Sequence, residues 1–274
     1  MTGKAKQTSI LYGIGARTLH IVDVGVGLHN TLGGALRSLS TPGKGARAVV
    51  HDLTVRQIFF TSFEALPMIS AVALFIGTTL TAQTELLGGA LQRETAGKVL
   101  VAVVLRELAP LVTAIIVAGR SGTAIATELG VKRTNKEVLG LASLGIDPAR
   151  FLIWPRLVAT TVSVPLLTIY FSAIAVISGN LTALAMDSHG LSEWQQGAML
   201  ALSPIDLPLV LVKTLGLGLL VGWLCSYYGL DVGASPTEVP IKASRAVVQT
   251  LLSCIAFNAL VTILFYWLVG GQLR

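Results

Sequence analysis

Charge is scarce in this sequence. Only 12% of its 274 residues are Asp, Glu, Lys or Arg, against roughly 25% in a typical soluble domain. Hydrophobic residues make up 53% and the mean hydropathy is +0.74, more apolar sequence than a water-soluble core absorbs, so a membrane protein is expected. Catalytic signatures are missing as well. There is no GxxxxGKS or GxxxxGKT loop, no HExxH, no GxSxG and no His/Cys cluster at metal spacing, so the chain is expected neither to hydrolyse ATP itself nor to hold a metal. The histidines, His20, His29, His51 and His189, are scattered over polar or interfacial segments. Cysteine is limited to Cys225 and Cys254, both inside apolar stretches, where packing is the ordinary role. The net charge is +6 and the pI near 9.5, but the basic residues are spread between apolar runs. That distribution suits a membrane surface and not a nucleic acid. The N-terminal segment is interrupted by Arg17, His20 and Asp23 with no small-residue cleavage site, so no cleaved signal peptide is expected.

What the sequence has is long apolar runs. A bilayer core of about 30 Å takes about 20 helical residues, and runs of that length cover approximately Ile58–Thr81, Val99–Gly119, Leu157–Met186, Leu207–Tyr228 and Ala246–Val269. The third is overlong and contains Pro165, which predicts a tilt, a kink or a continuation outside the membrane. Fifteen of the 20 Lys and Arg residues fall on one side of the resulting topology and three on the other. By the positive-inside rule the N-terminus is cytoplasmic and the C-terminus outside. Residues 9–39 carry Arg17, His20, Asp23, His29 and several glycines, and are expected to form an interfacial helix. Pro42, Gly43 and Gly45 should break it before the chain enters the membrane. The organisation predicted is an all-α membrane protein with a cytoplasmic segment over 1–57 and a five-span domain over 58–274.

Three features carry functional information. The long connection between spans two and three, TELGVKRTNKEVLGLASLGIDPARF, reads as a short capped helix, with Thr134 and Glu137 as a capping box, Val138, Leu141 and Leu144 at three-residue spacing, and Gly145 closing the end. Its apolar face must be covered either by the chain's own bundle or by a partner protein. Small residues form the second feature: Ala118, Gly122 and Ala126 share one face of span two, and Gly218 and Gly222 form a GxxxG in span four. Both patterns favour close helix contact, within a subunit or between two. The third is charge inside spans, at Arg106 and Glu107 ahead of Pro110, at Lys213, and at Glu64. A charge at mid-helix costs about 2.5–3.5 kcal/mol on insertion scales, so each needs a reason. A buried ion pair or snorkelling is one; an anionic group held by two cations at similar depth, such as a lipid phosphate, is the other.

At these residues the sequence resembles a known family. The run LRELAPLVTAIIVAGRSGTAIATELGVKRTNKEVLGLASLGIDPARFLIWPRLVA, continued by VPLLT, LVKTLGLGLLVGWLCSYYGL and ASRAVVQTLLSCIAFNALVT, is similar to the MlaE/YrbE permeases, membrane subunits of ABC transporters that work with MCE proteins. The resemblance implies a homodimer in a bacterial inner membrane, bound to cytoplasmic ATPase subunits that carry ATP and Mg, to an MCE-domain protein on the periplasmic side, and to a small cytoplasmic accessory subunit. It implies phospholipid as the substrate, with a role in outer-membrane lipid asymmetry or envelope lipid supply. The helix around Asn135–Leu144 would be the coupling helix, and Arg106, Glu107 and Lys213 would border a lipid cavity. Asn258 departs from the family pattern, which has an acidic residue there, and on that reading Lys213 is freer to meet substrate. An ion-coupled secondary transporter, with Glu64 or Glu107 carrying protons, is the alternative expectation.

Overall fold

The computed structural model describes residues 44–86, 98–99, 101–186, 191–201, 206–233 and 235–270. The interfacial helix expected over residues 9–39 lies outside them. The described residues form helices α1 (Lys44–Phe63), α2 (Leu66–Leu86), α3 (Val101–Thr134), α4 (Glu137–Ser143), α5 (Ala149–Met186), α6 (Leu191–Ala201), α7 (Asp206–Leu230) and α8 (Glu238–Gly270), with no strand among them. Five stretches are long and apolar enough to cross a membrane: α1 with α2, then α3, α5, α7 and α8. This is a multi-pass, all-α membrane protein.

The first of these stretches starts earlier than the apolar run suggests. Helix α1 begins at Lys44, directly after Pro42 and Gly43, so Gly45 lies in its first turn and position 57 lies well inside it. The break comes later, at Glu64 and Ala65. Pro67 explains it: a proline lacks the N–H that would bond the carbonyl four residues back, at Phe63, and its ring would clash there. As the second residue of α2, Pro67 instead occupies a first turn, where no intrahelical donor is needed.

Proline shapes α3 and α5 too. Residues Val101–Leu108 and Ala118–Gly122 of α3 and Ala149–Ile153 of α5 are wound wider than an α-helix. The first and last of these stand just ahead of Pro110 and Pro155, where a widened turn relieves the clash between ring and preceding carbonyl. Pro165 is accommodated inside α5, which runs unbroken to Met186, so the overlong third span is one continuous helix, longer at 38 residues than the about 20 a bilayer core requires.

Helix α5 is the centre of the bundle and packs against α1, α2, α3 and α7; α3 and α8 close the other side of α7. The core contains Phe171 of α5, Ile69 of α2, Val104 of α3 and Leu217 and Val221 of α7. Lipid tails are as apolar as leucine, so such helices are held by close packing and polar contacts. The glycines supply the closeness. A Cβ on Gly218 would stand 2.6 Å from the Thr160 carbonyl oxygen, and one on Gly222 3.0 Å from the Leu157 Cα, so α7 lies directly on the α5 backbone. On α3, a Cβ at Gly122 would stand 2.7 Å from Cys225 Sγ, Ala118 is fully buried, and Ala126 packs with Ala243 and Ala246 of α8. All five small residues therefore serve contacts within the chain.

Candidate functional site

Arg106 and Glu107 occupy the widened first turns of α3, at the end of the bundle that the charge count assigns to the outer side. Their side chains go to different neighbours. Glu107 Oε1 accepts from Lys213 Nζ of α7 at 2.8 Å, and Oε2 accepts from Asn258 Nδ2 of α8 at 3.2 Å. The Thr262 hydroxyl, one turn beyond Asn258, reaches the same carboxylate at 3.0 Å. Lys213 also donates to the Arg106 carbonyl at 3.1 Å. Pro110 cannot donate to that carbonyl, so the lysine supplies a bond that the proline removes. Lys213 is 0% exposed and Glu107 33%. An enclosed ammonium needs an anion and further acceptors to offset its lost hydration, and it has them. The expectation that Asn258 leaves Lys213 freer to meet substrate is corrected here: Glu107 takes the ammonium, and Asn258 braces Glu107.

Arg106 faces a cavity. Its Nη2 bonds Asp206 Oδ2 at 2.9 Å, with the side chains 23% and 14% exposed respectively. Asp206 is the first residue of α7, where the unbonded N–H groups and the helix dipole favour a negative charge. The cavity has a volume of about 270 Å³ between α3, α5 and α7. Val101, Leu105, Ile169, Leu207 and Val210 make most of its wall, Thr168 and Ser172 add hydroxyls, and among the described residues Arg106 and Asp206 are the charged ones lining it. An apolar hollow with one cation and one anion at its edge is suited to an amphipathic molecule.

Glu64, the remaining charge singled out from the sequence, stands in the break between α1 and α2 and pairs with Arg120 in the second widened stretch of α3. The Arg120 guanidinium also lies 5.9 Å from the Phe60 ring centroid. Farther toward the same end, Arg156 of α5 bonds Glu128 of α3 at 2.6 Å, and Lys132 joins the same carboxylate at 2.9 Å.

Helix α4 forms where the short capped helix was expected, but its cap differs. Thr134 ends α3 and its hydroxyl donates back to the Val131 carbonyl at 2.9 Å; it makes no box with Glu137. The residue before α4 is Lys136, in the left-handed conformation at φ 60°. The far end is as predicted: Gly145 has φ 71°, its N–H bonds the Ala142 carbonyl, and the Ile146 N–H bonds that of Leu141, the paired closure that favours glycine. Val138 and Leu141 pack against the chain's own core. Leu144 does not share their face; it is 75% exposed, and Leu139 is exposed as well.

Sequence reasoning missed Asp206, Thr262, Arg120 and helix α6. Asp206 had one available signal, an acid at the first position of an apolar run; Thr262 had its four-residue spacing from Asn258.

The comparisons with known proteins agree with this architecture. The family model described as Permease MlaE matches residues 54–264. A probable ABC transporter permease protein of Rickettsia prowazekii is 29% identical over 216 residues, covering 78% of this chain and 83% of the relative. The intermembrane phospholipid transport system permease protein MlaE of Haemophilus influenzae is 28% identical over 218 residues, with coverage of 78% and 83%. The chloroplastic protein trigalactosyldiacylglycerol 1 of Arabidopsis thaliana is 27% identical over 248 residues, 87% of this chain and 71% of that one.

Proposed function

The chain belongs to the MlaE permease family, and from that premise we propose that it is the membrane subunit of an ABC transporter that moves phospholipid between a bacterial inner membrane and an MCE-domain partner. Such traffic supplies the envelope with lipid or maintains outer-membrane asymmetry. The observation that carries the reading is the apolar cavity with Arg106 and Asp206 at its edge. It offers a site for an acyl chain beside a charged head group. The orientation proposed has the N-terminus cytoplasmic and the C-terminus periplasmic, as the basic residues dictate.

Surfaces left open support the proposed homodimer and ATPase seat. Only 22% of the most apolar window of the α1–α2 stretch and 11% of that of α8 is buried, against 44–50% for α3, α5 and α7. A second copy docking through these outer helices would give the proposed homodimer. Helix α4, with Leu139 and Leu144 exposed, is the proposed seat for the ATPase subunit that binds ATP and Mg; Thr134, Glu137, Val138 and Leu141 position that helix. A small cytoplasmic accessory subunit completes the proposed complex. Arg106 is the proposed lipid contact, and Glu107 with Lys213 fixes the turn of α3 that presents it.

The proton-coupled alternative is less well supported, because Glu64 and Glu107 each already hold a cation. The test is reconstitution of the complex in vesicles carrying labelled phospholipid. Transfer that requires hydrolysable ATP is expected; transfer driven by a proton gradient without ATP would reject the proposal.

A further inference from the structure

A second cavity lies at the other end of α7. It has a volume of about 350 Å³ and is walled by Tyr228 and Asp231 at the end of α7 and by Lys242, Ser244, Arg245 and Gln249 of α8. We infer that it binds the phosphate of an anionic phospholipid, phosphatidylglycerol in chemical class, drawn from the leaflet at that end of the bundle, with Arg245 as the principal contact. On the orientation proposed above, that leaflet is the cytoplasmic one. Asp206 and Tyr228 stand about 33 Å apart along α7 at 1.5 Å per residue, so this lipid is separate from any molecule held at Arg106. The inference goes beyond the transport reading and does not depend on it.

The charges around this cavity do not cancel. Lys242 pairs with Asp231, and Glu238, the acid at the start of α8, accepts from the Gly233 N–H and does not line the cavity. Arg245 is left as a lining cation that forms no ion pair among the described residues. Nor do the side chains of Ser244 and Gln249 or the Tyr228 hydroxyl form a hydrogen bond among those residues, so the cavity offers one cation and three uncommitted donors. A phosphodiester carries one negative charge and several acceptor oxygens, two of which a guanidinium can bond at once. The placement favours a lipid as its source. Arg245 immediately precedes the apolar run that begins at Ala246, at the level of the head groups, where aromatic residues such as Tyr228 also collect. Basic pockets between helices on the cytoplasmic side attract anionic lipids. Val248 completes the cavity wall, and Leu252 and Ile255, one and two turns farther into the membrane, share its helix face; all three are exposed. That stripe gives an acyl chain a path out of the cavity, which a free phosphate would not use.

The experiment places the purified full chain in phosphatidylcholine vesicles that carry a trace of photoactivatable phosphatidylglycerol or phosphatidylcholine, each with a diazirine near the glycerol end of one acyl chain. Labelled peptides are mapped by mass spectrometry, beside a thermal melt. Phosphatidylglycerol is expected to label the stretch from Ser244 to Ile255 more strongly than phosphatidylcholine does. Arg245→Ala should lower that label about tenfold, the effect of one charge-assisted contact, while label on peptides at the Arg106 cavity stays as in the wild type. Equal labelling of the α8 stretch by the two lipids, or unchanged label in Arg245→Ala, overturns the inference and leaves the transport reading standing. Absence of label at both places overturns both. Displacement of the α8 label by excess inorganic phosphate assigns the site to a free anion and overturns the lipid reading. A disulfide between two copies of a Val248→Cys variant, with no lipid label on α8, shows that a second copy covers this face and overturns it as well. Arg245 is exposed, so Arg245→Ala is expected to melt as the wild type does; if it does not, the wild-type preference between the two lipids decides alone.

Discussion

Arg106 and Glu107 are neighbours in the chain, yet they belong to two different environments. Around Glu107 three helices converge, the partner ammonium is out of reach of solvent, and two further side chains bond the carboxylate. Around Arg106 the wall is apolar, the partner Asp206 stands at a helix start, and both side chains keep some accessible surface. The sealed pair encloses its lysine completely and bonds it to the Glu107 carboxylate and the Arg106 carbonyl, as a structural junction requires; the open pair lines an apolar cavity. Depth in the membrane does not distinguish them, and neither does residue type. What distinguishes them is the enclosure of the cation, complete at Lys213 and partial at Arg106.

The comparison is broken most sharply at the sealed pair. Lys213→Ala removes the cation that Glu107, Asn258 and Thr262 are arranged around, and a broken buried pair costs about 3–5 kcal/mol. Because Glu107 is one-third exposed, the loss is expected near the lower figure. A thermal melt of the purified chain checks it, and a melt like that of the wild type would refute the structural role. Lys213→Met combined with Glu107→Leu should recover much of the stability. Next in size is Gly218→Val, whose Cβ would meet the Thr160 carbonyl at 2.6 Å. Forcing α7 away from α5 is expected to cost about 1–3 kcal/mol, again read by melting.

The open pair should respond in the opposite manner. Arg106→Ala is expected to lower the melt by less than Lys213→Ala does, since the α7 N-terminus continues to favour the Asp206 charge. Copurified phospholipid should nevertheless fall about tenfold, as for loss of one charge-assisted contact. A large drop in stability with lipid retained would place Arg106 with Lys213, as a structural residue only. The smallest effect on folding is expected at α4. Leu144→Glu, on an exposed position, should change stability by less than about 0.5 kcal/mol while lowering the yield of copurified ATPase. Leu141→Glu, on the face packed against the core, should lower the melt itself. Equal behaviour of the two variants would remove α4 as the ATPase seat.

How much of this was legible in the sequence depends on the range over which each feature is decided. The five apolar stretches and the Gly145 closure follow from composition and local backbone preference, and both are present in the structure. The break at Glu64 had a local cause in Pro67 that the length of the apolar run concealed. The capping box failed because α3 runs on to Thr134 and takes that residue as its own last turn; no spacing rule says which of two helices claims a residue between them. Leu144 was placed on the wrong face since a seven-residue helix ends before it. The partners of Arg106, Glu107 and Glu64 lie on other helices, and the sequence separation from Arg106 to Asp206 or from Glu107 to Lys213 is 100 and 106 residues. A charge in an apolar run announces that a partner exists without saying which residue it is.

Helix α3 is a rod fastened at two points. One fastening is the junction of Glu107 with α7 and α8; the other is Arg120, bound to Glu64 where α1 gives way to α2. Fourteen residues separate Arg106 from Arg120, about 21 Å at 1.5 Å per residue. Beyond the second fastening the rod runs on to Thr134 and meets α4 after two residues. So fastened, it cannot slide along its own axis without tearing a charge pair at each end. A push received at α4 would therefore turn the shaft together with the helices it is fastened to, and could not move the Arg106 end alone.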